Sequence, residues 1–176
     1  PQALYDAAIK LGFDNYTGIE TSIEENKGLV GNKKWADEGR GWGNPGETPW
    51  IVEDMASASI GQSVVLVTPL QLARAYASFA NGGYLITPHL VDGNINWRSE
   101  KYFQKVNIQD TTFETIRRGL RKVVTSGTAI GINIDPSIIP PVAGKTGTAE
   151  DSSGGEDHAW FAGFAPYDSG EIVIVA

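Results

Sequence analysis

Residues 142–176 read VAGKTGTAEDSSGGEDHAWFAGFAPYDSGEIVIVA. Three strand-length runs stand out in it: VAGKTGTAE, HAWFAGFAP and EIVIVA. DSSGGED joins the first two, with Gly154-Gly155 at the turn, and Asp168-Ser169-Gly170 joins the last two. Connections this short link antiparallel neighbours, because parallel strands need a crossover of a dozen or more residues. The spacing predicts an antiparallel meander.

Helical patterns precede it. TPLQLARAYASFANGG (68–83) starts on a capping Thr68 and a first-turn Pro69, and Asn81-Gly82-Gly83 supplies a left-handed stop. Leu70, Ala73, Ala77 and Ala80 form its expected buried stripe. TTFETIRRGLRKVVTSG (111–127) places Phe113, Ile116, Leu120, Val123 and Val124 on one face. Arg117, Arg118, Arg121 and Lys122 populate the rest, read here as a solvated face leaning toward the cation-favouring helix end. A shorter helix is expected over PQALYDAAIKLGF, ending at Gly12. YLITPHLV (84–91) reads as extended, broken by Pro88. From Asp14 to Trp50 periodicity dissolves into long irregular structure, with one short strand expected at TGIE (17–20). Helices ahead of a meander make the class α+β, an antiparallel sheet with packed helices.

Composition narrows the function. Hydrophobic residues make up 41% and charged residues 20% of the 176, enough apolar side chains to build a core. A net charge of −7 argues against a nucleic-acid backbone or an anionic lipid surface as main partner. No cysteine is present, which excludes disulfides and Cys-based metal sites and suits an oxidising compartment. His89 and His158 lack metal-ligand spacing, so neither a metal nor a cofactor is expected. No apolar run reaches membrane-span length. The chain opens on Pro1 and closes inside an apolar run, so it is expected to be part of a larger domain, with any anchor or missing catalytic group elsewhere.

Gly144-Lys145-Thr146 matches the second half of a phosphate-binding loop. That motif needs a glycine five residues before Gly144, where Ile139 stands. Ile-Ile-Pro-Pro cannot wrap a phosphate, because proline removes amide donors and β-branched residues resist the required angles. A strand reading explains more: Lys145 places a cation, Thr146 and Thr148 place hydroxyls, and Gly147 clears space beside the backbone. Alternation puts Lys145 and Thr146 on opposite faces, so both serve one site only on an edge strand bordering a cleft. An ordinary hairpin strand remains the alternative on these residues alone.

Weaker candidates have bland readings beside them. His158 reads as an edge histidine fixing the hairpin rather than a general base, and Gly61-Gln62 as loop packing in preference to a place at a cleft. Glu150-Asp151 and Glu156-Asp157 read as solvated loop charges rather than an acid pair. Trp35, Trp42 and Trp50 read as pins of a long loop, with sugar stacking as a minor role.

Taken in order, LGFDNYTGIE, NPGETPWIVEDMASASIGQ, SIGQSVVLVTPLQLARAYASFANGG, KTGTAE and HAWFAGFAP resemble the C-terminal part of the penicillin-binding protein transpeptidase domain. The upstream segments are similar to class B members of the elongation type, and the likeness runs from about Leu11 to the end. It implies a partial penicillin-binding/serine β-lactamase-like fold over residues 1–176 and a serine acyl-enzyme that cross-links peptidoglycan stem peptides and is acylated by β-lactams. It also implies an extracytoplasmic location, a membrane anchor in the full protein, and wall-synthesis proteins and the rest of its own domain as partners.

Of the family's motifs, Lys-Thr/Ser-Gly is present, whereas no Ser or Thr opens Ser-x-x-Lys or Ser-x-Asn. The resemblance places those two before Pro1, so this chain alone is expected to be inactive. By motif match Lys145 assists proton transfer, and Thr146 and Thr148 bind the substrate carboxylate. Gly147 leaves room, and the Thr148 N–H completes an oxyanion hole. A catalytically silent scaffold module and a β-lactamase or β-lactam sensor on the same fold remain as alternatives.

Overall fold

The computed structural model describes all residues except 1, 21–23, 41–42, 92–95, 97, 133–134, 136 and 151–153. Helices are α1 (Gln2–Lys10), α2 (Lys33–Asp37), α3 (Val52–Ser59), α4 (Pro69–Ala80) and α5 (Asp110–Ser126). Strands are β1 (Leu29–Val30), β2 (Val65–Leu66), β3 (Tyr84–Ile86), β4 (Phe103–Lys105), β5 (Ala143–Ala149), β6 (His158–Ala165) and β7 (Ile172–Val175). β5, β6 and β7 form the expected antiparallel meander. β1 pairs with β2 and β3 with β4, both antiparallel, giving the α+β class.

The core lies between this sheet and two helices. Ala143 of β5, Phe164 of β6, Ala80 of α4 and Leu120 of α5 are buried together, with Tyr76, Phe79, Ile116, Tyr167 and Val173 around them. Burial pushes the Tyr76 phenol up to about 12, because the phenolate would lose its water. The second cluster, Leu85, Val106 and Phe113, closes the far end of α5.

The opposite face of the sheet is bare. Ile172 and Ile174 are 59% and 58% exposed, and Ile138 nearby is 73% exposed. A hollow of about 330 Å³ runs across this face, bounded by Ile139, Val142, Phe161, Ile172 and Ile174. Gly144 and Gly163 face each other across β5 and β6. A Cβ on Gly144 would sit 2.5 Å from the Phe161 ring, and one on Gly163 2.8 Å. Glycine at both positions lets that ring lie over the strands.

Four expectations need correction. α4 buries Gln71, Ala75, Ser78 and Ala80, while Leu70, Ala73 and Ala77 are half-buried. The stripe is rotated because Gln71 goes inward to bond three backbone groups. Its Oε1 accepts from Thr68 N, and its Nε2 donates to Asn15 O and Lys27 O. On α5, Arg117 and Arg121 are half-buried rather than part of a fully solvated face. Arg117 donates to the carbonyls of Phe79, Ala80 and Tyr167 and lies over the Phe164 and Tyr167 rings, and Arg121 donates to Val142 O. The last turn of α5 holds no basic residue, so the macrodipole does not place these cations.

TGIE is not a strand; the strand of that region is Leu29–Val30, whose partner lies beyond α3. The stretch from Asp14 to Trp50 also contains α2, capped by the Asn32 side chain accepting from Trp35 N. β3 begins YLITPHLV as expected, but its partner β4 lies beyond the reach of that pattern.

Candidate active site

β5 carries Ala143-Gly-Lys-Thr-Gly-Thr-Ala149, and its direction of hydrogen bonding follows from the register. Phe161 and Ala176 exchange two backbone bonds, N to O at 2.8 Å and 2.9 Å, so the Phe161 peptide groups point toward β7. In an antiparallel ladder a residue's N–H and C=O point the same way, and the direction alternates along the strand. Phe161 stands opposite Thr146, and Ala159 opposite Thr148. Thr146 and Thr148 therefore turn their backbone N–H and C=O away from β6, toward the open edge of the sheet. Lys145 and Gly147 use theirs to hold β6.

The side chains divide between the faces. Lys145 shares the helix-facing side with Ala143, and Thr146 and Thr148 share the other. All four motif residues nevertheless meet at one rim, because β5 is the edge strand of its sheet. Lys145 is exposed, and its Nζ donates to Thr146 O at 2.6 Å. A hollow of about 310 Å³ lies beside Gly147, Thr148 and Ala149, bounded also by Gly61, Gln62, Leu72, His158 and Trp160. Lys145 is not among its walls. The ammonium thus stands at the rim, turned back onto its own strand.

Two further residues reach this rim. Gln62 Nε2 donates to Thr148 O at 3.2 Å. The Gln62 backbone is fixed by its N–H donating to Ser57 O at the end of α3, and by positive φ at Gly61 (78°) and Ser63 (57°). Gln62 thus lines the hollow, where the sequence alone favours loop packing over a place at a cleft. Thr128 was not singled out by any sequence pattern. Its Oγ1 lies 2.6 Å from Thr146 Oγ1. Only the glycine beside it, marking the end of α5, gave a local signal.

The other candidates stand apart or at the margin. His158 opens β6 opposite Ala149 and is exposed on the wall of the hollow. Glu150, Glu156 and Asp157 are exposed, while Asp151 and Trp42 fall outside the described residues. Trp35 is half-buried under the Arg40 guanidinium, 5.6 Å from its ring centroid, and Trp50 is half-buried too. His89 lies in the exposed loop after β3. Among the described residues no group of His, Cys, Asp or Glu could hold a metal, and no helix is long and apolar enough to cross a membrane.

A helix-backed antiparallel meander with Lys-Thr-Gly-Thr on its open edge agrees with the wider likeness. The chain belongs to the penicillin binding protein transpeptidase domain family, whose family model matches residues 1–176. Within that family it is similar to the peptidoglycan D,D-transpeptidase MrdA of Haemophilus influenzae, at 31% identity over 183 residues. That alignment covers 93% of this chain and 27% of the relative, so the chain spans under a third of that protein's length.

The fold is shared with solved structures. Pseudomonas aeruginosa PBP2 in complex with WCK 5153 matches 99% of this chain and 41% of its own at a TM-score of 0.70 and 26% identity. The Helicobacter pylori PBP2 structure, a complex with MreC, matches 98% of this chain and 31% of its own at a TM-score of 0.79 and 24% identity.

Proposed function

We propose that residues 1–176 form the C-terminal portion of an extracytoplasmic, membrane-anchored D,D-transpeptidase of the elongation type, and that its nucleophilic serine lies on another part of the polypeptide. The observation that carries this reading is the open edge of β5, where Thr146 and Thr148 turn their backbone N–H groups outward and Thr148 borders a hollow. An extended stem peptide adds to such an edge through main-chain hydrogen bonds. The absence of Ser-x-x-Lys and Ser-x-Asn from the chain agrees with a nucleophile supplied elsewhere.

In this reading the serine oxygen attacks the penultimate D-Ala carbonyl of one stem peptide, and terminal D-Ala leaves with a proton. An amine of a second stem peptide then attacks the acyl-enzyme, restoring the serine. The Thr148 N–H faces the side on which the oxyanion develops and stabilises it there. Lys145 contributes positive potential and assists proton transfer to and from the missing serine groups. Thr146 and Thr148 hydroxyls bind the carboxylate of substrate or β-lactam, and Gly147 keeps the approach clear. The apolar sheet face around Ile172 and Ile174 fits burial against the remainder of the same domain. A wall-synthesis partner of the kind seen with the Helicobacter pylori protein fits the complete polypeptide.

The test is acylation of the complete polypeptide by a fluorescent penicillin. The wild type is expected to label and residues 1–176 alone are not. Lys145→Ala should slow labelling about a hundredfold or more, the scale of a lost proton carrier. Normal labelling of that variant removes Lys145 from the chemistry. An unlabelled wild type makes the protein a silent scaffold module.

A further inference from the structure

We propose that Thr128 is a positioning residue of the carboxylate subsite, its hydroxyl orienting that of Thr146 so that the pair aims one O–H donor at the ligand anion. This rests on the acyl-transfer reading above and adds a residue to it from outside the Lys-Thr-Gly-Thr strand. The two Oγ1 atoms are 2.6 Å apart, inside the range of a strong O–H···O bond. A pair of hydroxyls owns two protons and one is spent between them. Whichever oxygen donates, one O–H remains to point elsewhere, and the internal bond polarises it further.

The surroundings favour an anion as the receiver. Lys145 Nζ donates to the carbonyl of the same Thr146, so an ammonium stands within one residue of the hydroxyl pair. A carboxylate only accepts hydrogen bonds when ionised, and it matches a site offering an O–H beside a cation. Its methyl ester keeps the shape, loses the charge and is the natural discriminating probe.

Thr128 is held where it can do this. Gly127 packs against Val123 so closely that a Cβ there would lie 2.8 Å from Val123 backbone atoms. Ala129 is buried, and both Gly127 N and Ala129 N donate to Val123 O at 3.1 Å. The turn after α5 thus fixes the residues on both sides of Thr128 and leaves its side chain exposed. For an exposed hydroxyl pair, water satisfies either group equally well, so the bond contributes little to stability and its consequence lies in orientation.

The experiment compares acylation rate constants of the complete polypeptide for benzylpenicillin and for its methyl ester. Thr128→Val removes the hydroxyl while keeping the shape, and Thr128→Ser retains it. Thr128→Val should lower the free-acid rate about tenfold and the ester rate by about twofold at most, as expected for one lost hydrogen bond to a charged group. Thr128→Ser should keep the wild-type preference. An unchanged free-acid to ester ratio in Thr128→Val, with or without a fall in melting temperature, overturns the proposal by reducing Thr128 to a loop tether. Thr128→Ala gives the same ratio test if the valine variant does not fold. A wild type that takes up neither probe overturns the acyl-transfer reading itself, and this proposal with it.

Discussion

Residues 11–66 and the sheet-and-helix body that follows are held together by different means. In the body, large side chains meet: Phe164, Phe113, Leu120 and Leu85 are buried, and β5 to β7 share a continuous ladder. In residues 11–66 the buried apolar side chains among the described residues are small, namely Val30, Ala36, Ala58 and Val64. Polar side chains reaching backbone groups do the holding there. Glu25 accepts from Thr17 N and Gly18 N, Gln71 donates to Asn15 O and Lys27 O, and Arg40 donates to Thr48 O and Pro49 O. Packing energy spreads over many atoms, whereas these ties concentrate it in single bonds. A substitution in the body should therefore act globally and one in residues 11–66 locally.

The largest expected effect is in the body. Phe164 is 1% exposed, sits among Ala80, Leu120 and Ala143, and supports the Arg117 guanidinium 5.2 Å from its ring centroid. Phe164→Ala should cost about 4 kcal/mol through lost burial and the cavity left behind. Urea unfolding of the complete polypeptide should show one cooperative transition at a lower midpoint. A local loss confined to β6, with the midpoint unchanged, would erase the contrast drawn above.

Arg40 tests the other side. Its guanidinium reaches both Asp54 oxygens, at 2.9 Å and 2.5 Å, and the two side chains are only 12% and 9% exposed. Asp54 also accepts from Ile51 N, which starts α3. The hydrogen bonds from Arg40, then from Ile51, hold the Asp54 carboxyl below the usual aspartate range, and burial opposes them only in part. Arg40→Met should cost about 3 kcal/mol, the scale of an ion pair broken from one side. The cost should appear as protease cleavage between α2 and α3 while the body stays protected.

The pH sign follows from the lowered carboxyl. Its contribution is complete above the ordinary aspartate value of about 4 and disappears as pH falls through the lower folded value. The gap between wild type and Arg40→Met should hold from neutral pH down to about pH 4 and close as pH falls through the folded value. A gap that widens in acid would show that Asp54 is not the partner that matters.

The same contrast decides what could be read without coordinates. The meander was legible because short connectors force neighbouring strands antiparallel, and α5 because Phe113, Leu120 and Val124 recur at helical spacing. Lys145, Thr146, Gly147 and Thr148 are contiguous, so their common strand was legible too. β1 and β2 were not, since two-residue strands carry no period and their partners are separated by α2 and α3. Gln71 was misplaced because its burial depends on the carbonyls of Asn15 and Lys27, which no local pattern reveals. Thr128 was not picked out, and Gln62 reads from sequence as loop packing in preference to a place at a cleft, for that same reason: each meets β5 only through the tertiary fold.

Gln62 joins the two regions, and its substitution should have the smallest effect. It lies near the end of the segment held by single bonds and touches the open edge of the segment held by packing, through one 3.2 Å bond to Thr148 O. Being partly exposed, it can be replaced at a stability cost of about 0.5 kcal/mol or less. Thr148 O belongs to the same residue whose N–H faces the open edge, so the bond steadies the orientation of that peptide edge. Gln62→Ala should leave the melting temperature nearly unchanged while slowing penicillin acylation about threefold, as expected for one weak neutral hydrogen bond. Acylation that speeds up instead would show that Gln62 covers the Thr148 carbonyl and is displaced by the incoming chain. The loop would then be a competitor for the edge it was taken to support.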